Sequence, residues 1–299
     1  MNVEHNFDTG AVMINYAEFT QEGNAGHEGA RGAQAAHPLV LLHGGSWRWQ
    51  GALLLDELSQ RYHVYAPDFR GHGRSGRTPG HYTIQDCAAD IILFMEKMVR
   101  EPAVLIGHSL GGQVAIVAAA RRPDLVAGLI IGDAPFDRGK LRALHLRDRA
   151  QLVTWREMSG PSHSLEEIME ALKNAPIMMG EPPEPVPARS VLGENSPWFP
   201  FMAENLRLLD PGMLDAVLEF QDMHDAYDCA RLFPSISCPV LIVQGNPDLG
   251  GALSDEEVDR ALELLPQAQA VKIETVGHAL DYPDKEPLLR AVLSFIGET

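Results

Sequence analysis

Short apolar runs alternate with stretches of helical spacing as far as Pro135. Gly10 to Phe19 reads as a strand, half of a hairpin with the segment before it. Pro38-Leu39-Val40-Leu41-Leu42 is a continuous apolar run, followed by helical spacing through Leu53, Leu54, Leu55 and Leu58. His63 to Pro67 is a second short run. A helix is predicted from Thr83 to Val99, where Ile84, Cys87, Ala88, Ile91, Ile92 and Met95 recur at helical spacing. Ala103 to Ile106 and Val126 to Ile131 read as strands, with a helix over Gln113–Ala120 between them. Continuous runs of four to six apolar residues alternating with helices predict buried parallel strands joined by crossovers, a doubly wound α/β sheet. Residues Gly23 to His37 are Gly-, Ala- and polar-rich without periodicity and read as a surface loop.

The alternation then stops. From Phe136 to about Leu232 the pattern predicts helices (Lys140–Met158, Leu165–Lys173, Phe201–Leu208, Met213–Asp222) and no strand. They are interrupted by the proline-rich Glu181–Pro187, which reads as an extended surface segment because proline lacks the N–H a helix interior needs. Strand signals resume at Val240–Val243, with a helix over Glu256–Leu265, a last strand over Val271–Thr275 and a closing helix over Pro287–Ile296. Residues 136–232 are therefore expected as a helical insertion into one sheet domain formed by residues 1–135 and 233–299.

Composition narrows the function classes. The chain has 299 residues, 45% hydrophobic and 22% charged, which fits an ordinary globule with a large core. Its net charge of −17 disfavours nucleic acid and anionic membrane surfaces, which are bound by clustered Lys and Arg. Cys87, Cys229 and Cys238 form neither a disulfide framework nor a zinc motif. There is no signal-peptide pattern and no apolar window long enough to span a membrane, so the expectation is a cytoplasmic protein, monomeric or homodimeric, acting on a small molecule.

The most informative stretch is Ala103-Val104-Leu105-Ile106-Gly107-His108-Ser109-Leu110-Gly111-Gly112, a strand running through Gly-x-Ser-x-Gly into a helix. On so tight a turn the serine is forced outward, and the residues two positions either side must be small. The competing reading is a glycine-rich turn whose serine caps the helix. A serine hydroxyl needs a base, and the base a partner that fixes its tautomer. Asp248 follows the strand Val240–Val243 and His278 follows the final strand, so the order Ser109, Asp248, His278 suits a nucleophile elbow in an α/β sheet.

With His43-Gly44-Gly45, Asp68-x-Arg70-Gly71-x-Gly73-x-Ser75, the elbow, Gly245-x-x-Asp248 and Gly277-His278 in this order, the chain resembles the α/β-hydrolase superfamily from about Gly10 to its end. The likeness is to the branch with a helical cap between strands six and seven, and implies a mostly parallel sheet of about eight strands. It also implies Ser109 as nucleophile, His278 as base and then acid, Asp248 as orienting carboxylate, and an oxyanion hole from the amides of Leu110 and Gly45, or Ser46 if the doubled glycine shifts the register. Asp133 also follows a strand, where some superfamily members carry the acid; a local hydrogen bond before Pro135 is the favoured reading for it.

His43 and His108 read as braces for glycine-rich loops rather than second bases, and with His72 they lack metal-ligand spacing, so neither metal nor cofactor is expected. Trp47, His108 and Trp198 are candidate pocket residues; for each tryptophan, packing of the insertion onto the sheet is the competing role. The favoured function is a serine hydrolase cleaving a small, largely uncharged ester or lactone through an acyl-enzyme. The alternatives are a C–C hydrolase, a lyase or a cofactor-free perhydrolase on the same triad, and a hydrolase-like ligand receptor. Halide- and epoxide-opening relatives carry Asp where this chain has Ser109.

Overall fold

A computed structural model of the chain describes residues 2–20, 37–179, 184–219, 223–224 and 226–298. Three expectations fall partly outside them: the loop over 23–36, the proline-rich residues 181–183 and the end of the helix at 220–222. Among the described residues one eight-stranded sheet is built from β1 (Asn2–Asp8), β2 (Met13–Phe19), β3 (Leu39–Leu42), β4 (Val64–Pro67), β5 (Ala103–His108), β6 (Val126–Gly132), β9 (Val240–Gly245) and β10 (Ala268–Ile273). The inserted segment supplies the two intervening strands, β7 (Pro176–Met179) and β8 (Glu184–Pro187). The spatial order is β1-β2-β4-β3-β5-β6-β9-β10, with β1 and β2 antiparallel and every pair from β4 to β10 parallel.

The apolar runs explain this arrangement. Every residue of β3, β5 and β9 is buried, as strands covered on both faces require. On one face lie α2 (Ile84–Phe94), α3 (Leu110–Arg121) and α11 (Asp255–Leu264). On the other lie α1 (Leu55–Leu58) and α12 (Glu286–Glu298). The last strand begins three residues earlier than expected. It is an edge strand in which Gln269, Ala270 and Val271 are exposed, so no buried apolar run marks its start.

The segment between β6 and β9 differs from expectation in two ways. The single helix expected over Lys140–Met158 is two, α4 (Arg138–Arg147) and α5 (Arg149–Met158), because Asp148 leaves helical geometry at φ −93°, ψ 9°. The expected absence of strands is also corrected, since β7 and β8 pair as an antiparallel ribbon in which Pro185 and Pro187 fit an extended backbone. The remaining helices are α6 (Leu165–Asn174), α7 (Ala188–Leu192), α8 (Trp198–Leu208), α9 (Pro211–Glu219) and α10 (Cys229–Leu232).

This segment is fastened to loops that leave the C-terminal ends of β3 and β4. Arg48 Nε donates to Asn205 Oδ1 at 2.9 Å and its guanidinium pairs with Glu204. The Asp210 amide donates to the Gly71 carbonyl at 2.8 Å, and Trp47 meets Phe201 edge-on at 5.8 Å.

The turn after β4 is itself anchored by a buried ion pair. Arg70 donates through Nε and Nη2 to the two Asp90 oxygens at 2.7 and 2.8 Å, and through Nη1 to the His81 carbonyl. Asp90→Ala would leave the buried guanidinium with only the His81 carbonyl and Asp86, 3.7 Å from Nη1, and is expected to cost about 3 kcal/mol of unfolding free energy, read by urea denaturation.

Candidate active site

Strand β5 ends at His108 and α3 starts at Leu110, so Ser109 alone makes the turn, at φ 53° and ψ −119°. A non-glycine residue there costs about 1–3 kcal/mol, a strain typical of functional sites. The small neighbours are required by close approach. A Cβ on Gly107 would lie 2.3 Å from the Gly111 carbonyl oxygen, and one on Gly111 would lie 2.2 Å from the Leu42 carbonyl oxygen. The serine is only partly buried, and its amide donates to Gly132 O at 2.9 Å, tying the turn to β6.

His278 meets this serine from the loop after β10. Its Nε2 lies 3.1 Å from Ser109 Oγ and its Nδ1 2.7 Å from Asp133 Oδ2. With Nδ1–H donating to the carboxylate, the Nε2 lone pair faces the hydroxyl, the tautomer that accepts a serine proton.

The expected carboxylate is therefore corrected. Asp248, favoured from its place after β9, is exposed in a short turn (Pro247–Leu249) whose Asp248 amide donates to Asn246 Oδ1. Asp133, expected to bond only locally, is fully buried at φ 43° at the end of β6. It accepts from His278 and from the amides of Gly245 (3.1 Å), Ala252 (2.7 Å) and Leu253 (3.2 Å). The loop carrying Asp248 thus contributes backbone donors to the other aspartate. The sequence signal available was Asp133 itself, directly after a strand that neighbours the elbow strand.

Burial alone would raise the Asp133 carboxyl. The hydrogen bond and charge of His278, with the Ala252 and Gly245 amides, outweigh it and hold the carboxyl below its ordinary 3.8.

The loop Gly44–Trp47 lies across Ser109 and Leu110, since a Cβ on Gly44 would be 3.7 Å from Ser109 Cβ and one on Gly45 3.9 Å from Leu110 Cβ. The amides of Gly45, Ser46 and Leu110 make no protein hydrogen bond among the described residues. Beneath the loop, His43 donates from Nδ1 to Gly44 O at 2.8 Å and accepts at Nε2 from the Phe69 amide at 3.1 Å. Burial, then nearby His72, pushes the His43 pKa far down, so it stays neutral. Asp68 accepts from the Trp49 amide at 2.7 Å and the Arg74 amide at 3.0 Å; burial pushes its carboxyl up to about 7.

The three pocket candidates separate. Trp47 lies next to the Gly44–Gly45 loop, with its ring centroid 5.7 Å from that of His108. His108 is buried, with its ring centroid 4.7 Å from that of His278. Trp198 packs on Trp155 and Phe199 within the inserted segment, and no ring contact joins it to the Ser109–His278 pair among the described residues. A cavity of about 420 Å³ lies apart from these groups, between the root of the insertion and α11, lined by residues such as Phe136, Tyr227 and Arg260. Among the described residues no cluster of three His, Cys, Asp or Glu side chains could hold a metal, and no helix is long and apolar enough to cross a membrane.

Residues 39–288 match the model of the Alpha/beta hydrolase family. The chain belongs to this family. Among its relatives is the 2-(acetamidomethylene)succinate hydrolase of Mesorhizobium japonicum, 26% identical over 245 residues, 81% of each chain. The N-formylmaleamate deformylase of Pseudomonas putida is 24% identical over 268 residues, 87% of this chain and 88% of that protein. The crystal structure of E-2-(acetamidomethylene)succinate hydrolase superposes with a TM-score of 0.71 at 21% identity, covering 99% of this chain and 100% of that one, and so shares the fold.

Because Asp133 titrates lower when folded than its ordinary 3.8, the stability it contributes is present above that pH and is lost as the pH falls through the folded-state value. Unfolding free energy is therefore expected to decline below about pH 4. Asp133→Asn, which cannot titrate, should flatten that decline in urea titrations at successive pH values.

Proposed function

We propose that this α/β hydrolase is a serine hydrolase in which Ser109, His278 and Asp133 carry acyl transfer from a small, largely uncharged ester or lactone to water. The observation that carries the reading is the continuous hydrogen-bonded line from Asp133 Oδ2 through His278 to Ser109 Oγ, at 2.7 and 3.1 Å. Ser109 Oγ attacks the carbonyl carbon while His278 Nε2 takes its proton. Asp133 holds Nδ1–H and stabilises the imidazolium. The oxyanion is received by the amides of Leu110 and Gly45, each worth about 3 kcal/mol in the transition state. His278 then protonates the leaving oxygen, and water, activated by the same imidazole, releases the acyl group from Ser109. Residues 136–232 serve as the cap over this site, a role supported by the fastening of α8 to Trp47 and Arg48.

A second leaving group has specific support. The two relatives above are named for an acetamido compound and for a deformylation, which favours an amide in place of the ester. The nucleophile and base are unchanged; His278 then protonates a leaving nitrogen.

Ser109→Ala is expected to abolish fluorophosphonate labelling and hydrolysis of p-nitrophenyl acetate. Asp133→Asn should lower kcat by about 10⁴-fold, whereas Asp248→Asn should change it by less than about threefold. The reverse ranking of the two aspartates would reinstate Asp248 as the acid, and full activity in Ser109→Ala would overturn the mechanism.

A further inference from the structure

We propose that His108 is a positioning residue for the catalytic base: it holds His278 by its backbone carbonyl and by its ring face, and thereby keeps the imidazole in line with both Asp133 and Ser109. The inference rests on the triad reading above.

His108 directly precedes the nucleophile and is 3% exposed. Its Nε2 lies 2.8 Å from the His278 carbonyl oxygen. A carbonyl only accepts, so Nε2 bears the hydrogen. Burial, and after it the nearby charge of His278, pushes the ring down to about 3, which leaves it neutral with its lone pair on Nδ1.

That lone pair is buried with no hydrogen-bond partner among the described residues. It stands against the oxyanion loop, where a Cβ on Gly44 would come within 3.1 Å of Nδ1. A buried acceptor without a partner is destabilising. A residue present only to fill this space would be apolar and carry no such cost. The histidine contributes what an apolar side chain cannot, the donor to His278 O.

The base needs this help. The His278 side chain is 40% exposed, yet it must keep two directional hydrogen bonds on opposite sides of one ring. The His108 ring lies against it, centroids 4.7 Å apart and planes inclined by 38°. Behind His108 the contacts continue to Trp47 and then to Phe201 of α8, so the stack is backed by the inserted segment. A neutral ring also lets His278 take up a proton without a second cation beside it.

The test compares His108→Phe, which keeps a ring but loses the donor, with His108→Gln, whose amide N–H reaches the Nε2 position. Each is assayed for p-nitrophenyl acetate hydrolysis, fluorophosphonate labelling rate and thermal midpoint, beside Ser109→Ala. His108→Phe is expected to lose about 10- to 100-fold in kcat and in labelling rate with KM within about twofold, as a small misplacement of a catalytic group does. Its midpoint should stay within about 3 °C of the parent. His108→Gln should recover most of the lost rate. If the phenylalanine variant does not fold, His108→Asn takes its place, since its amide is too short to reach His278 O. Parental kcat in the donor-less variant, or equal losses in it and in His108→Gln, overturns the positioning role while Ser109→Ala remains inactive. Activity in Ser109→Ala overturns the triad and this role together.

Discussion

The passage of the chain through Ser109 constrains everything around it. There α3 leaves β5 so tightly that the Gly107 Cα faces the Gly111 carbonyl, and the Gly111 Cα faces the Leu42 carbonyl of the neighbouring strand. Helix and sheet can touch at that distance only if both backbones are bare and both faces are dry. Hence β3 and β5 are buried end to end, and α3 is lined by Val114, Ala115, Ile116, Val117, Ala118 and Ala119, all at 1% exposure or less. The strained serine is thus held in place by the close packing of α3 on β3 and β5.

The sheet order decides which carboxylate the base can meet. β3 has β4 on one side and β5 on the other, so chain order reverses there, the place where open α/β sheets bind ligands. β6 lies directly beside β5, and the Ser109 amide bonds to the last residue of β6. Asp133, the next residue, is one strand from Ser109 and buried; Asp248 is a strand further away and exposed. A buried carboxylate in that position has to be solvated by the protein. The backbone of residues 245–253 does so with three amides, leaving the fourth bond to His278.

Much of this was legible in the sequence. Runs such as Leu39–Leu42 and Val240–Val243 announce buried parallel strands because they are apolar on both faces, and Ser109 and His278 follow from motif and position. The start of the edge strand β10 is illegible because exposure removes the apolar run that would mark it. The ribbon β7–β8 is illegible because two four-residue strands with three prolines between them carry no period of two. Which aspartate meets His278 is illegible for a different reason. Both aspartates follow strands, and the difference between them lies in backbone amides that turn towards one carboxylate, which no side-chain pattern records. The His108 contact is illegible likewise, since its partner is a main-chain carbonyl 170 residues away.

Electrostatically the site is simple. His43, His72 and His108 lie near the elbow and its loop, and burial pushes each of them down, His72 to about 4 and His108 to about 3. Each uses ring nitrogens as neutral hydrogen-bonding groups, to Gly44 and Phe69, to Arg70, and to His278. Asp68, the buried carboxyl under the Gly44–Trp47 loop, accepts from two amides, and burial pushes it up to about 7. Asp133 is the exception, a buried carboxylate held ionised beside the base. A proton arriving on His278 therefore meets one opposite charge, fixed at 2.7 Å and oriented by amides, in surroundings otherwise emptied of competing positive charge. In the proposed mechanism this field is in place before an imidazolium forms, and it comes from the same packing that buries the turn.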